Sequence, residues 1–367
     1  PALPGQRMFR AVPHRLQLVP VQAAADGTAS MVASRMAALE QHLGRVLLAE
    51  SFDVLHAQDP IGANALANLQ EDGRIDGFVR TVHHLDMFED PRLMHWQARG
   101  MHAAQQVLCV SQLWCDVLQR EHGLAAHRVH NGVDLLRYSR HADSADATLQ
   151  ARWGLRSGRA PVVLAVGGVE ERKNTLRTLQ AFAMLRQRCP QAQLVIAGGS
   201  SLLNHDAYGQ AFEAELGALQ LRTGVGGDVV ITGALPDAQM PALFRSADVL
   251  AMPSLREGFG LVVLEALASG TPVAVSQIAP FTEYLGDADC CWADPLDPAS
   301  IADALHAALQ AERRRAQQTT PAVCQRFSWA ASAALHADLY YAHVAAARHG
   351  QSPRPALSGE PHARYAL

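Results

Sequence analysis

The chain has 367 residues, of which 49% are hydrophobic and 18% are charged, as in an ordinary globular protein rather than a disordered one. Its length predicts two domains, each large enough to hold its own core. The formal net charge of -4 argues against general binding to nucleic acid. No Cys-x-x-Cys pair, membrane-length apolar run or signal peptide is visible, so we expect free thiols and a cytoplasmic location.

The first third of the chain alternates between helical and apolar segments. An apolar segment at 16–21 comes first, and the predicted helices are 30–48, 61–71, 92–104 and 112–122. The predicted buried strands are 52–56, 78–83 and 106–111. This alternation is typical of βα units around a parallel sheet.

A polar connection at 156–161 introduces a second, more regular series. Its predicted strands are 161–166, 193–197, 228–232, 248–252 and 272–276. Its predicted helices are 175–188, 207–221, 238–246, 260–269, 280–286 and 299–312. Two doubly wound halves are the simplest interpretation, and the cleft between them is then the default ligand site.

Residues 254–276 carry two carboxylates, Glu257 and Glu265, in a predicted strand–loop–helix–strand unit. The start of such a helix presents free N–H groups where a phosphate can bind, and carboxylates beside it would bind neutral hydroxyls instead. Each acid also has a simpler interpretation, as a first-turn residue pairing with the helix dipole or as a solvated side chain. Apolar neighbours make the solvated interpretation unfavourable for Glu265.

Lys173 is the only lysine among 31 basic residues, and it follows a predicted strand that ends in Gly167 and Gly168. With Arg172 it stands at the predicted start of the next helix, although neither a Walker loop nor a Gly-x-Gly-x-x-Gly motif is present. A solvated basic turn is the alternative interpretation. We favour a phosphate clamp, because a compact ammonium suits a phosphate at a strand-to-helix switch.

Together these features resemble glycosyltransferase family 4. The resemblance is carried by Gly167-Gly168 through Arg172-Lys173-Asn174, the turn at 232–237, Pro253-Ser254, and Glu257-x7-Glu265 followed by Gly-Thr-Pro-Val. Weaker similarities lie at 52–56, Thr81-Val-His83, Asn131-Gly-Val-Asp134 and Phe327-Ser-Trp329. The resemblance implies a GT-B fold, in which two Rossmann-like domains face a cleft and a C-terminal helix crosses back to the first domain. It also implies a retaining transfer from a nucleotide sugar without a metal.

The resemblance also assigns site residues. Lys173 and Arg172 would neutralise the donor diphosphate beside Gly168, and Glu257 and Gly258 would meet the sugar. Amides of Phe259, Gly260 and Leu261 would support the distal phosphate, Glu265 would bind the ribose, and backbone from Gly233 to Leu235 would frame the base. His83, Lys173 and Glu257 are the residues expected to act in catalysis, with His83 near the reacting carbon or the acceptor.

The predicted domains are 1–157 on the acceptor side, 158–325 for the nucleotide sugar, 326–347 as the crossover helix and 348–367 as a flexible tail. Two departures from the family pattern stand out: Gly168 occupies the place of an arginine, and no opening strand or glycine-rich loop precedes residue 16. We expect that a natural start is missing rather than replaced.

Three functions remain open: a retaining glycosyltransferase, another GT-B enzyme such as a nucleotide-sugar epimerase, and a non-catalytic nucleotide-sugar binder. The donor could be a UDP-, GDP- or ADP-sugar, and the acceptor a small molecule, a lipid or a glycan. Arg7, Arg10 and Arg15 allow a weak contact with the inner face of a membrane. A metal is not expected, because the neighbours His83 and His84 would point to opposite faces of a strand.

Overall fold

The computed structural model describes residues 14–21, 27–199, 205–315 and 320–348. The helices are α1 (Gly27–Ala49), α2 (Pro60–Glu71), α3 (Pro91–His102), α4 (Gln112–His122), α5 (Ser144–Trp153), α6 (Thr175–Arg188), α7 (Asp206–Ala218), α8 (Met240–Arg245), α9 (Leu261–Ala268), α10 (Pro298–Arg315), α11 (Ala322–Arg326) and α12 (Trp329–Arg348). The strands are β1 (His56–Ala57), β2 (Val79–Val82), β3 (Gln106–Cys109), β4 (His127–Arg128), β5 (Val162–Val166), β6 (Gln193–Ala197), β7 (Val229–Gly233), β8 (Val249–Met252), β9 (Val273–Ser276) and β10 (Cys291–Ala293). Arg7, Arg10 and nearly all of the predicted tail at 348–367 lie outside the described residues.

The second half of the chain forms a parallel sheet in the order β10-β9-β8-β5-β6-β7. Its strands read as continuous apolar runs because both faces are covered by helices. On β5, Val162 and Leu164 join the core beneath α8 and α9, while Val163 and Ala165 join the core beneath α6 and α10. The order reverses direction at β5 and β8, so the loops that follow these two strands border one crevice.

The first half forms a parallel sheet in the order β1-β2-β3-β4. The prediction of a strand at 52–56 was wrong in its position, because pairing with β2 begins only at His56, opposite Val79. Phe52 is half exposed and Asp53 is exposed, so this part of the segment does not belong to a buried sheet.

The predicted helix at 280–286 was also wrong, since only a short 3-10 turn forms at Phe281–Glu283. Tyr284 leaves the helical conformation, at φ -135°, and its ring stacks on Phe259, so the turn does not extend to Gly286. The short elements β4, β10, α5 and α11 have no counterpart among the predicted strands and helices. β4, β10 and α11 are two to five residues long, too short to show a period, and in α5 apolar residues alternate with polar ones, which is not the spacing of a helix.

Helix α5 packs against α8, and Leu149 and Leu155 enter the core of the second sheet. Asp146 of α5 forms an ion pair with Arg245 of α8 at 2.6 Å. The second unit therefore draws on residues that lie ahead of the predicted boundary at 157.

The C-terminal helix α12 returns to the first sheet. The Val133 amide donates to the Phe327 carbonyl at 2.9 Å, and Val133 and Ser328 form a parallel bridge just before the helix begins. Leu339 of α12 packs on the cluster of Val79, Leu108 and Val129. The predicted crossover helix is confirmed. Among the described helices, none is both long and apolar enough to span a membrane.

Candidate active site

The glycine loop after β5 brings Lys173 back over the end of the sheet. Gly167 and Gly168 both adopt positive φ, and their amides donate to the Ala197 carbonyl at 2.7 and 3.1 Å. A Cβ on Gly167 would lie 2.6 Å from the Lys173 side chain, and one on Gly168 would lie 2.8 Å from the Gly199 carbonyl oxygen. Both glycines are therefore needed for the close approach of backbone and lysine.

Asn174 fixes the start of α6 against the end of β8. It is buried in the left-handed conformation, and its side-chain amide donates to the carbonyls of Pro253 and Pro295 at 2.9 and 2.6 Å. The Thr175 hydroxyl donates to the Gly168 carbonyl at 2.9 Å. These bonds join the loop that carries Lys173 to the loop that carries Glu257.

Glu257 is the point on which the basic residues converge. Its Oε1 lies 2.7 Å from Lys173 Nζ and 3.3 Å from an Arg172 guanidinium nitrogen. The Glu257 side chain is only 7% exposed, so two cations compensate a carboxylate that is almost fully removed from water. Arg172 also faces Glu170 at 3.6 Å. The structure thus brings together three of the predicted donor-site residues.

The loop at 257–260 leads into α9 and touches the first sheet unit. A Cβ on Gly258 would lie 2.3 Å from the His83 carbonyl oxygen, directly across the cleft. Gly260, in the left-handed conformation, is the N-cap of α9 and has no side chain to cap it. The Tyr284 hydroxyl donates to the Phe259 carbonyl at 2.9 Å, and the two rings stack at 4.9 Å. The amides at the start of α9, including that of Leu261, therefore border the same crevice as Glu257.

Two further predicted groups lie farther along the crevice. Glu265 is half-buried on α9 and accepts a hydrogen bond from the Tyr138 side chain. Gly233 ends β7 with positive φ, its carbonyl accepts from the Gly198 amide at 3.0 Å, and Leu235 packs against the core. The residue predicted to bind the ribose therefore lies on α9, and the segment predicted to frame the base follows β7 of the same unit.

His83 follows β2 and faces the loop at 257–260 from the other side of the cleft. Its Nε2 lies 2.9 Å from Gln58 Oε1. Burial, together with the nearby Arg80 and His84, lowers the pKa of His83 to about 4, so its imidazole is neutral near pH 7. A neutral imidazole suits contact with a sugar hydroxyl better than contact with a phosphate.

The sequence did not reveal four side chains that shape this site: Trp114, Glu283, Arg137 and Tyr138. The Trp114 indole donates to the Glu257 carbonyl at 3.0 Å. The Glu283 carboxylate accepts from the amides of Gln112 and Leu113, at 2.7 and 2.8 Å, at the start of α4. None of the four lies in a recognisable motif, because their roles depend on contacts across the chain.

The histidines near the cleft are separated in the structure. His84 lies 3.3 Å from Asp86, whereas His83 turns toward Gln58. Within the described ranges, no group of three or more His, Cys, Asp or Glu side chains could hold a metal ion.

Two family models match the chain. The model described as Glycosyltransferase Family 4 matches residues 9–137, and the model described as Glycosyl transferases group 1 matches residues 150–322. A D-inositol 3-phosphate glycosyltransferase of Corynebacterium efficiens is 31% identical over 233 residues, which cover 62% of this chain and 53% of the relative. The chain spans about half the length of the curated relatives it matches.

Solved structures agree on the fold. The sucrose-phosphate synthase of Thermosynechococcus elongatus has a TM-score of 0.69 at 21% identity, covering 89% of this chain and 83% of that protein. The Anabaena protein HepE, solved with UDP and glucose, has a TM-score of 0.70 at 18% identity, covering 89% and 85%. With the two family models matching most of its length, the chain belongs to glycosyltransferase family 4 and has the GT-B fold.

Proposed function

We propose that the protein transfers a sugar, with retention of configuration, from a nucleotide sugar to a hydroxyl of an acceptor. The observation that carries the proposal is the convergence of Lys173, Arg172 and the start of α9 on Glu257, directly across from His83. Cations and free helix amides on one side of a cleft suit a diphosphate leaving group. A neutral histidine and a carboxylate suit the uncharged sugar beside it.

The chemistry follows from this charge arrangement. When the bond between the anomeric carbon and the phosphate oxygen breaks, negative charge develops on the leaving diphosphate. Lys173 and Arg172 would stabilise that charge, while the amides of α9 hold the distal phosphate. Glu257 would turn from the two cations to the sugar hydroxyls once the phosphates compensate Lys173. The acceptor hydroxyl would attack from the leaving-group side and pass its proton to the departing phosphate oxygen, so neither a protein nucleophile nor a metal is part of the proposal.

The relatives support a first choice of substrates. HepE was solved with UDP-glucose, and the other relatives are named for inositol phosphate and sucrose phosphate. We therefore place UDP-sugars first among the donors, ahead of GDP- and ADP-sugars. Phosphorylated polyols and phosphorylated sugars come first among the acceptors, ahead of lipids and larger glycans.

The experiment is a donor and acceptor screen read by product mass. Each nucleotide sugar is incubated with each acceptor, and both nucleoside diphosphate and glycosylated product are measured. We expect the two products in equal amounts, with the donor's anomeric configuration retained in the NMR spectrum of the product. An isomerised nucleotide sugar without transfer would identify an epimerase instead, and nucleotide binding without any conversion would identify a non-catalytic binder.

A further inference from the structure

Residues 134–138 form a tight turn just after the chain first crosses from the first sheet unit to the second. Asp134 Oδ1 accepts from the amides of Leu136 and Arg137 at 3.0 and 3.2 Å, and the Tyr138 amide donates to the Asp134 carbonyl at 2.8 Å. This side-chain turn fixes the backbone from which Arg137 and Tyr138 project. We call residues 134–138 the crossing turn.

Arg137 binds the end of the segment that would frame the base. One guanidinium nitrogen donates to the Asp237 carboxylate and the other donates to the Asp237 carbonyl. Both side chains are mostly buried, at 17% and 24% exposed. Because the planar guanidinium grips a side chain and a backbone oxygen together, it fixes the position of the 233–237 backbone as well as the charge.

Tyr138 binds the carboxylate that would hold the ribose. Its side chain is buried, its hydroxyl hydrogen-bonds Glu265, and its ring packs edge-on against Phe244 at 5.9 Å. The Arg137 guanidinium lies 5.2 Å from the centre of the same ring. Burial and the nearby Glu265 charge raise the pKa of Tyr138, so the hydroxyl remains a donor at neutral pH.

A neutral donor is well suited to this position. Glu265 lies among apolar residues of α9 and needs a partner to remain ionised. A tyrosine hydroxyl supplies one hydrogen bond and leaves the negative charge and the remaining lone pairs of the carboxylate available. A direct arginine pair would occupy both oxygens and compete with a ribose diol.

We propose that Arg137 and Tyr138 are positioning residues for the nucleoside, which hold the 233–237 turn and the Glu265 carboxylate in place before the nucleotide binds. This inference rests on the proposed function of the same site. It predicts that both residues act on nucleotide affinity and on donor KM, while the transfer step itself, and hence kcat, changes little.

The test is titration calorimetry with UDP, GDP and ADP, together with steady-state kinetics on the donor that turns over. For the nucleotide that the unaltered protein binds, we expect Y138F to weaken binding by about three- to tenfold and R137K by about tenfold. Donor KM should rise by similar factors. The controls are R140Q, which changes an exposed arginine three residues further along, and Y341F, which changes an exposed tyrosine.

A double-mutant cycle separates positioning from general destabilisation. If Tyr138 acts through Glu265, Y138F should have no further effect on nucleotide affinity in an E265A background, which lacks the acceptor oxygens. D237N weakens the ion pair between Arg137 and Asp237 from the other side. This variant serves as the test if R137K does not fold. Unchanged affinity in Y138F and R137K, or an effect of Y138F that persists in E265A, would overturn the inference while leaving the proposed function intact. An unaltered protein that binds none of the three nucleotides would overturn both.

Discussion

The indole Nε1 of Trp114 donates a hydrogen bond of 3.0 Å to the carbonyl oxygen of Glu257. Trp114 belongs to α4 of the first sheet unit, and Glu257 belongs to the loop that joins β8 to α9 in the second. A side chain of the first sheet unit therefore binds the backbone of the loop that carries Glu257 in the second unit. Its geometry depends on how the two units meet.

The contact between Gly258 and the His83 carbonyl gives a steric test of this dependence. G258A adds a methyl group that would lie 2.3 Å from that oxygen, so the two units must separate. We expect kcat/KM to fall by at least about a hundredfold while nucleotide binding persists, since misplacement by about 1 Å is that costly. The control is G217A on α7, where the added methyl meets open space. Activity that survives G258A unchanged would show that catalysis does not depend on the close contact between Gly258 and the His83 carbonyl.

Glu257 compensates two cations. Removing its charge should strengthen the binding of nucleoside diphosphate but lower the rate of sugar transfer. In E257Q, Lys173 and Arg172 lose their counter-charge, so we expect nucleoside diphosphate to bind about three- to tenfold more tightly. Turnover should fall by orders of magnitude, because the sugar loses its carboxylate. Calorimetry measures the affinity for nucleoside diphosphate, and the rate at which glycosylated product forms measures turnover. A nucleoside diphosphate that bound more weakly to E257Q would contradict this account of the charges.

Lys173 should matter most in the transition state, when charge develops on the leaving phosphate. We expect K173Q to lower kcat by about a hundred- to a thousandfold, as the loss of one preorganised electrostatic contact does in other enzymes. The control is R188Q at the end of α6, the helix that follows Lys173, and it breaks an exposed ion pair with Asp303. Equal kcat in K173Q and R188Q would remove Lys173 from the mechanism.

Glu283 caps α4 of the first sheet unit, so its charge should stabilise the contact between the two units. We expect E283Q to cost about 1 kcal/mol of this contact, because an amide cannot accept from both the Gln112 and the Leu113 N–H as a carboxylate does. The expected result is a roughly fivefold lower kcat/KM with nucleotide affinity retained. E213Q, on an exposed position of α7, is the control. An unaffected kcat/KM in E283Q would mean that the cap is not coupled to catalysis.

Acid should destabilise the first sheet unit through His56 and His83. Burial, followed by nearby positive groups, lowers the pKa of each to about 4, whereas the unfolded value is about 6.5. The unfolded chain then binds more protons between these values, so the free energy of unfolding falls as pH drops from about 6.5 to 4. The slope is at most about 1.4 kcal/mol per pH unit for each histidine.

Urea unfolding at pH 7, 6 and 5 measures this slope. H56Q should make it shallower, and H141Q, at an exposed position, should leave it as it is in the unaltered protein. A slope that H56Q did not change would contradict the assignment to His56.

Sequence reasoning predicted the second unit well, because its strands are apolar on both faces and end in glycine or proline loops. It singled out Gly168, Lys173, Glu257 and Glu265 from local motifs at strand ends and a helix start. The structure brings Lys173 against Glu257, and the donor-binding roles of the four residues stay predictions. It misplaced the strand at 52–56, where Phe52 and Asp53 are exposed and pairing with β2 begins only at His56. It also missed Arg137, Tyr138, Trp114 and Glu283. Their contacts join residues that are 100 or more positions apart in the chain, and no local sequence pattern indicates such contacts.

The paired crossings at Val133 and Ser328 have a mechanical consequence. Because the two chain segments lie side by side as a parallel bridge, the units share a single pivot rather than two separated attachments. A Cβ on Gly132 would lie 2.2 Å from the Ser328 backbone, so the segments are in direct contact at that point. The Phe259 ring lies 5.8 Å from the Phe327 ring, centre to centre, so the loop at 257–260 packs directly beside this pivot. A change in the angle between the units at the crossings should therefore alter the packing of Phe327 against Phe259, and with it the loop that carries Glu257.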